Sequence, residues 1–207
     1  MKKLKIVIFD CDGVLFDSRE ANRHYYNDLL VRFGRPVMDE GELDYVHMHN
    51  VMDSVNYIFR HYPEDIGLAN AYRVELDYHP YLRHMIMEPD LPAFLQFLRP
   101  RYKTAISTNR TTTMAEVLRV HGLAGCFEKV VTALDVEHPK PHPEALQKIL
   151  AYFDAKPDEA VYIGDSIIDR QHSAAIGMEL IAFKNDRLEA EYHVQSFSEI
   201  RSLPLFR

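Results

Sequence analysis

Five short runs of apolar and β-branched residues recur along the 207-residue chain: 4–9 (LKIVIF), 103–107 (KTAIS), 129–132 (KVVT), 160–163 (AVYI) and 179–183 (ELIAF). Such near-continuous runs suit strands buried on both faces. Helical patterns lie between them. Leu91, Phe94, Leu95 and Leu98 repeat at helical spacing, with Pro92 in the first turn. Thr113 and Glu116 have the spacing of a capping box for a helix over 111–122 that stops at Gly122. Pro143 opens a helix over 143–153 with Leu146, Ile149, Leu150 and Phe153 on one face. Strands that alternate with helices predict an α/β fold: a Rossmann-like parallel sheet with helices on both faces.

Residues 18–86 break this rhythm and read as helices throughout: 18–33, 39–48, 51–62 and 66–86, with breaks at Gly34-Arg35-Pro36 and Tyr62-Pro63. The expected organisation is therefore an α/β core domain of residues 1–17 and 87–207, with an inserted all-helical cap domain of residues 18–86. A short strand near 192–195 and a closing helix complete the chain.

The net charge of −7 argues against a broad nucleic-acid-binding surface, because phosphate backbones attract basic patches. No apolar run is long enough to span a bilayer, and the first one is interrupted by Asp10 too early for a secretory signal. Cys11 and Cys126 match no zinc or redox spacing. These features lead us to expect a cytoplasmic monomer or homodimer with neither nucleic acid nor membrane as a partner.

In parallel α/β sheets ligands sit at the carboxyl ends of the strands. Asp10 and Asp12 follow the first predicted strand, Thr108 and Asn109 the second, Lys140 the third after a short connection, and Asp165 the fourth, with Asp169 four residues on. Each has an ordinary reading too. Asp12-Gly13 is a turn dipeptide, Ser166 and Asp169 have capping-box spacing, and Lys140 could be a solvated loop residue. Together those readings meet an electrostatic objection. Unit charges at ~4 Å repel by roughly 4 kcal/mol at an effective dielectric near 20. Clustered carboxylates call for a cation, and an oxygen-only donor set suits Mg²⁺. With a lysine and a hydroxyl opposite the metal, the composite points to phosphoryl chemistry.

Four motifs, in order, resemble the haloacid dehalogenase-like (HAD) hydrolases of the branch with a helical cap after the first strand. They are Asp10-Cys11-Asp12-Gly13-Val14, Thr108-Asn109, Lys140 in PKPHPEAL, and Gly164-Asp165-Ser166-Ile167-Ile168-Asp169. The resemblance extends over essentially the whole chain and is nearest to phosphoglycolate phosphatases and β-phosphoglucomutases. It implies that Asp10 is the nucleophile that becomes an aspartyl phosphate and that Asp12 is the general acid and base. It implies that Mg²⁺ is held by Asp10, Asp165 and the main-chain carbonyl of Asp12, and that phosphate is bound by Thr108, Asn109 and Lys140. Asp169 would stand behind the metal ligands, orienting water or Lys140. Cys11 is expected to be a small residue packed behind the site.

The reading that follows is a Mg²⁺-dependent phosphatase of a small phosphorylated metabolite. A phosphomutase of the β-phosphoglucomutase type is the alternative, and a catalytically silent phosphate-binding protein a third. In the cap, Arg19, Asn22, Arg23 and His24 follow the first motif, and His47, His49 and Asn50 cluster in VHMHN. Arg19, His24 and His49 are the candidates for contacting substrate.

Overall fold

A computed structural model describes residues 4–206. The chain forms two compact units, one comprising the chain up to Phe16 and from Met87 on, the other Asp17–Ile86. In chain order the regular elements begin with β1 (Ile6–Phe9), β2 (Phe16–Asp17), α1 (Arg19–Arg32), α2 (Glu40–Met48), α3 (Val51–Ile58) and α4 (Ile66–Glu75). Next come β3 (Ile86–Met87), α5 (Leu91–Leu98), β4 (Lys103–Ser107), α6 (Met114–Val120), β5 (Lys129–Val131) and α7 (Glu144–Tyr152). The chain closes with β6 (Ala160–Gly164), α8 (Ile167–Ala174), β7 (Glu179–Phe183), β8 (Tyr192–Val194) and α9 (Phe197–Ile200).

The first unit is built on a six-stranded sheet of order β5-β4-β1-β6-β7-β8, with every pairing parallel. β1 lies inside the sheet, with Phe9 level with Ile106 on β4 and with Ile163 on β6. Alternate residues of a strand face opposite ways. Ile6 and Ile8 join Leu146, Ile149, Tyr162 and Leu180 in one apolar layer. Phe9 turns to the other face, where its ring meets those of Phe94, Phe127 and Phe197. Covered on both faces, β1 can be wholly apolar until the chain leaves the sheet, and the first polar side chain after it is Asp10.

The second unit packs Tyr25, Leu29 and Leu30 of α1 against Leu43 and Val46 of α2, Val55 and Ile58 of α3, and Ala69 of α4. Helix ends differ from the sequence expectation where local chemistry intervenes. The segment expected to be one helix over 66–86 is helical only to Glu75. Leu76 turns extended (ψ 119°), and a short 3₁₀ stretch, His79–His84, takes Pro80 in its first turn, where a missing N–H costs nothing. The capping box expected from Thr113 and Glu116 does not form. The Thr113 hydroxyl accepts instead from Arg110 Nη1 at 3.3 Å.

Truncating Phe9 would leave a cavity in a closed aromatic layer. Phe9→Ala is expected to lower unfolding free energy by about 3–5 kcal/mol in urea titrations. Val74→Ala, at a position 74% exposed, should change it little.

Candidate active site

The carboxyl ends of β1, β4 and β6 bring the motif residues of the first unit together. Asp10 is the first residue beyond β1, Thr108 the first beyond β4 and Asp165 the first beyond β6. Lys140 arrives from the loop between β5 and α7, and both ends of the Asn109 amide fix that loop. Lys140 N donates to Asn109 Oδ1 (3.0 Å), and Asn109 Nδ2 donates to the Lys140 carbonyl (3.2 Å). Asn109, expected to bind phosphate, thus has its side chain engaged by the backbone of the lysine.

The Lys140 ammonium is buried. It lies 2.8 Å from Asp10 Oδ1 and 2.8 Å from Asp169 Oδ1, and donates to the Tyr162 hydroxyl at 3.1 Å. Burial works against its charge, but the two carboxylates outweigh that and hold its pKa above the ordinary lysine range. The Tyr162 hydroxyl proton has two acceptors within 3.0 Å, the Ser107 carbonyl and Asp169 Oδ1. Asp169 Oδ2 accepts from the Ser166 hydroxyl at 2.7 Å and from the Ser166 and Asp165 amides at 3.1 and 3.2 Å. The Ser166–Asp169 capping box at the start of α8 is present as well, so Asp169 caps a helix and orients Lys140 at once. Burial opposes its charge, yet Lys140 and these donors keep its pKa below the usual carboxylate range.

Asp165 differs. Its carboxylate has no hydrogen bond or ion pair among the described residues, and burial and the charges of Asp169 and Asp10 push its pKa well above normal. Burial, opposed by Lys140, raises Asp10 to about 7. One carboxylate oxygen each of Asp10, Asp165 and Asp169 lie within 4.8 Å of one another. Since the Asp169 oxygens are already occupied by donors, Asp10 and Asp165 are the carboxylates with capacity for a cation. An all-oxygen pair of this kind fits Mg²⁺. Glycine makes the close approach possible. A Cβ at Gly13 (φ +78°) would stand 2.1 Å from Asp165 Oδ2, and one at Gly164 2.4 Å from the Asp169 Cβ.

Asp12 is held by a residue that motif reading passed over. Arg110 donates to both of its oxygens, Nη2 to Oδ1 at 2.6 Å and Nε to Oδ2 at 2.7 Å. The bidentate geometry is the strong form of this pair. The Arg110 side chain is 7% exposed, and its backbone N–H donates to the Thr108 hydroxyl at 3.1 Å. Its place directly after Thr108-Asn109 was the available signal. Tyr162 and His172 were missed too. Buried tyrosine inside a strand and buried histidine inside a helix read as core, and only the fold shows their polar ends meeting the site. Cys11 is fully buried, and burial pushes its thiol pKa well up, so it is inert packing.

The candidates of the helical unit are engaged within that unit. Arg19 pairs with Asp44 (2.6 Å) and Glu40 (3.0 Å), and Arg23 with Glu20 (3.1 Å) and Glu40 (3.0 Å). Asn22 Nδ2 lies 3.1 Å from His47 Nδ1. The His24 ring stacks on His84 (4.0 Å), and His49 stacks on Tyr45 (3.9 Å) while its Nδ1 donates to the Tyr45 carbonyl. Asn50 caps α3.

The model of the haloacid dehalogenase-like hydrolase family matches residues 7–183. The chain belongs to that family. Over 167 residues, 79% of the chain and 76% of the relative, it is 32% identical to pyrophosphatase PpaX of Bacillus thuringiensis (strain Al Hakam). It superposes on a HAD-superfamily hydrolase of subfamily IA, variant 1, from Geobacter sulfurreducens PCA with a TM-score of 0.85 and 36% identity, covering 96% of this chain and 98% of that one. The fold also matches β-phosphoglucomutase from Clostridium difficile with a TM-score of 0.83 at 18% identity, over 95% and 93% of the two chains. No helix of the described residues is long and apolar enough to cross a membrane.

Near this HAD site, His172 is buried, and burial together with the Lys140 charge lowers its pKa to about 3. The unfolded histidine takes up a proton below about pH 6.5, while the folded one stays neutral down to about 3. Below pH 6.5 the unfolded chain therefore binds more protons at this position, and stability falls with pH. Thermal midpoints measured from pH 6.5 to 4 should decline less steeply in His172→Phe than in the wild type.

Proposed function

We propose that this chain is a Mg²⁺-dependent phosphatase that hydrolyses small-molecule phosphate monoesters through an aspartyl phosphate on Asp10. The observation that carries the reading is the division of labour among the carboxylates. Lys140 and its neighbours occupy Asp169, whereas the Asp165 carboxylate has no hydrogen bond or ion pair among the described residues and stands beside Asp10. Asp10, Asp165 and the main-chain carbonyl of Asp12 would hold Mg²⁺, which when bound neutralises phosphate charge and orients it for in-line attack.

Asp10 attacks phosphorus and takes the phosphoryl group, dividing one displacement into two. The Lys140 ammonium and the Thr108 hydroxyl hold the non-bridging oxygens. Asp12 gives a proton to the departing alcohol and later removes one from the water that cleaves the acyl phosphate. Arg110, on both Asp12 oxygens, favours the carboxylate, the form needed as base in the second step. For the first step Asp12 must exchange that guanidinium for a proton. The helical unit is the cap that selects the leaving group, with Arg19, His24 and His49 as candidate contacts. Pyrophosphate belongs in the substrate panel because the relative from Bacillus thuringiensis is a pyrophosphatase.

Hydrolysis of 4-nitrophenyl phosphate and of a panel of phosphorylated metabolites, with and without Mg²⁺, tests the reading. Activity should vanish with EDTA and fall to background in Asp10→Asn, and Asp12→Asn should lose about 10²–10⁴-fold in kcat. An Asp10→Asn enzyme as fast as wild type would remove the nucleophile assignment. Turnover that requires a sugar bisphosphate primer would replace the phosphatase with the mutase.

A further inference from the structure

His172, on α8 one turn beyond Asp169, has a place in the site that none of the motifs assigns. Its Nδ1 lies 2.8 Å from the carbonyl of His142, and its Nε2 lies 2.9 Å from the Ser107 hydroxyl. A carbonyl can only accept, so Nδ1 carries the proton and the Nε2 lone pair accepts from Ser107. The ring packs edge-on against Tyr162, with centroids 5.5 Å apart. It is the only fully buried histidine among the described residues.

The two partners give this ring its meaning. Ser107 ends β4 and immediately precedes Thr108, while His142 lies two residues beyond Lys140. The segment that carries Lys140 has proline at 139, 141 and 143 and no helix or strand of its own. Few backbone amides can therefore anchor it. Glu144 of α7 holds the Glu137 and His138 amides at its start, and beyond them Asn109 holds the Lys140 backbone and His172 the His142 carbonyl.

We propose that His172 is a positioning residue, a neutral clip that ties the Lys140 loop to the end of β4 and so sets the spacing of the Thr108 hydroxyl and the Lys140 ammonium around a bound phosphate. The clip needs no ionisation. It needs a ring with one donor and one acceptor on opposite sides, and it adds a tie at His142 to those that Asn109 and Tyr162 make at Lys140 itself. The proposal rests on the phosphatase reading for its ligand, but the tie between loop and strand exists independently of any ligand.

The test therefore has two arms, in wild type, His172→Phe, Ser107→Ala and the double variant. The first follows amide hydrogen exchange of Lys140 and His142 by NMR without ligand. Both amides should exchange faster in His172→Phe, while the amides of β1 and β6 keep their protection. The second measures the dissociation constant of inorganic phosphate with Mg²⁺ by calorimetry, and KM and kcat for 4-nitrophenyl phosphate. Phosphate affinity should weaken about tenfold, the lower end for a lost supporting bond. KM should rise by a larger factor than kcat falls. The double variant should lose no more than His172→Phe, because the two residues form one device.

A folded His172→Phe protein with wild-type exchange at Lys140 and His142 and wild-type phosphate affinity overturns the clip. If that variant does not fold, Ser107→Ala decides, and unchanged phosphate affinity in it overturns the proposal as well. A wild type that neither binds phosphate nor hydrolyses its esters removes the phosphatase reading. Faster exchange in His172→Phe would then still support the tie, and unchanged exchange would overturn that too.

Discussion

One ammonium inside a ring of carboxylates governs the architecture of this protein. Lys140 touches Asp10 and Asp169 at 2.8 Å each and is buried with them. Charges in such a place are tolerable only when their remaining lone pairs and protons are satisfied. The surroundings supply this. Tyr162 rises from the middle of β6 to meet the ammonium, Ser166 and two amides cover the far oxygen of Asp169, and Asn109 grips the lysine backbone. Breaking one partner would strand the others, which is why strand ends, a helix cap and an irregular loop converge on this one buried group.

The same ring separates carboxylates that look alike in the sequence. Asp169 is saturated and kept ionised by donors. The Asp165 carboxylate has no hydrogen bond or ion pair among the described residues, and burial with the charges of Asp169 and Asp10 raises its pKa. Asp12 is paired with Arg110. Environment alone distinguishes the three acids, and under the proposed function it divides them into a structural acid, a metal ligand and an acid–base catalyst.

Much of this was legible in the sequence because the parallel sheet turns position into place. A polar residue directly after a buried strand must emerge at the carboxyl edge, so Asp10, Thr108 and Asp165 could be located without coordinates. Arg110 could not be assigned in that way. Its partner Asp12 lies in another segment, and the contact depends on two turns facing each other across β1 and β4. Arg110 also drew Thr113 away from the expected cap, a competition between local and distant partners that spacing rules do not contain. His172 and Tyr162 were hidden for the opposite reason: apolar surroundings made them look like core. In the helical unit, side chains picked for substrate contact pair with neighbouring acids and rings, because α1 and α2 present their charges to one another.

The strand order carries a consequence for how such a molecule comes into being. β1 is made first, yet it takes an inner place between β4 and β6, with Phe9 level with Ile106 on one side and Ile163 on the other. These pairings join distant parts of the chain, the kind of contact that slows folding because long loops must close before they are rewarded. During synthesis Asp10 leaves the ribosome long before Lys140 and Asp165. The charge cluster around Lys140 therefore cannot be complete until the chain has been made as far as α8, which carries Asp169.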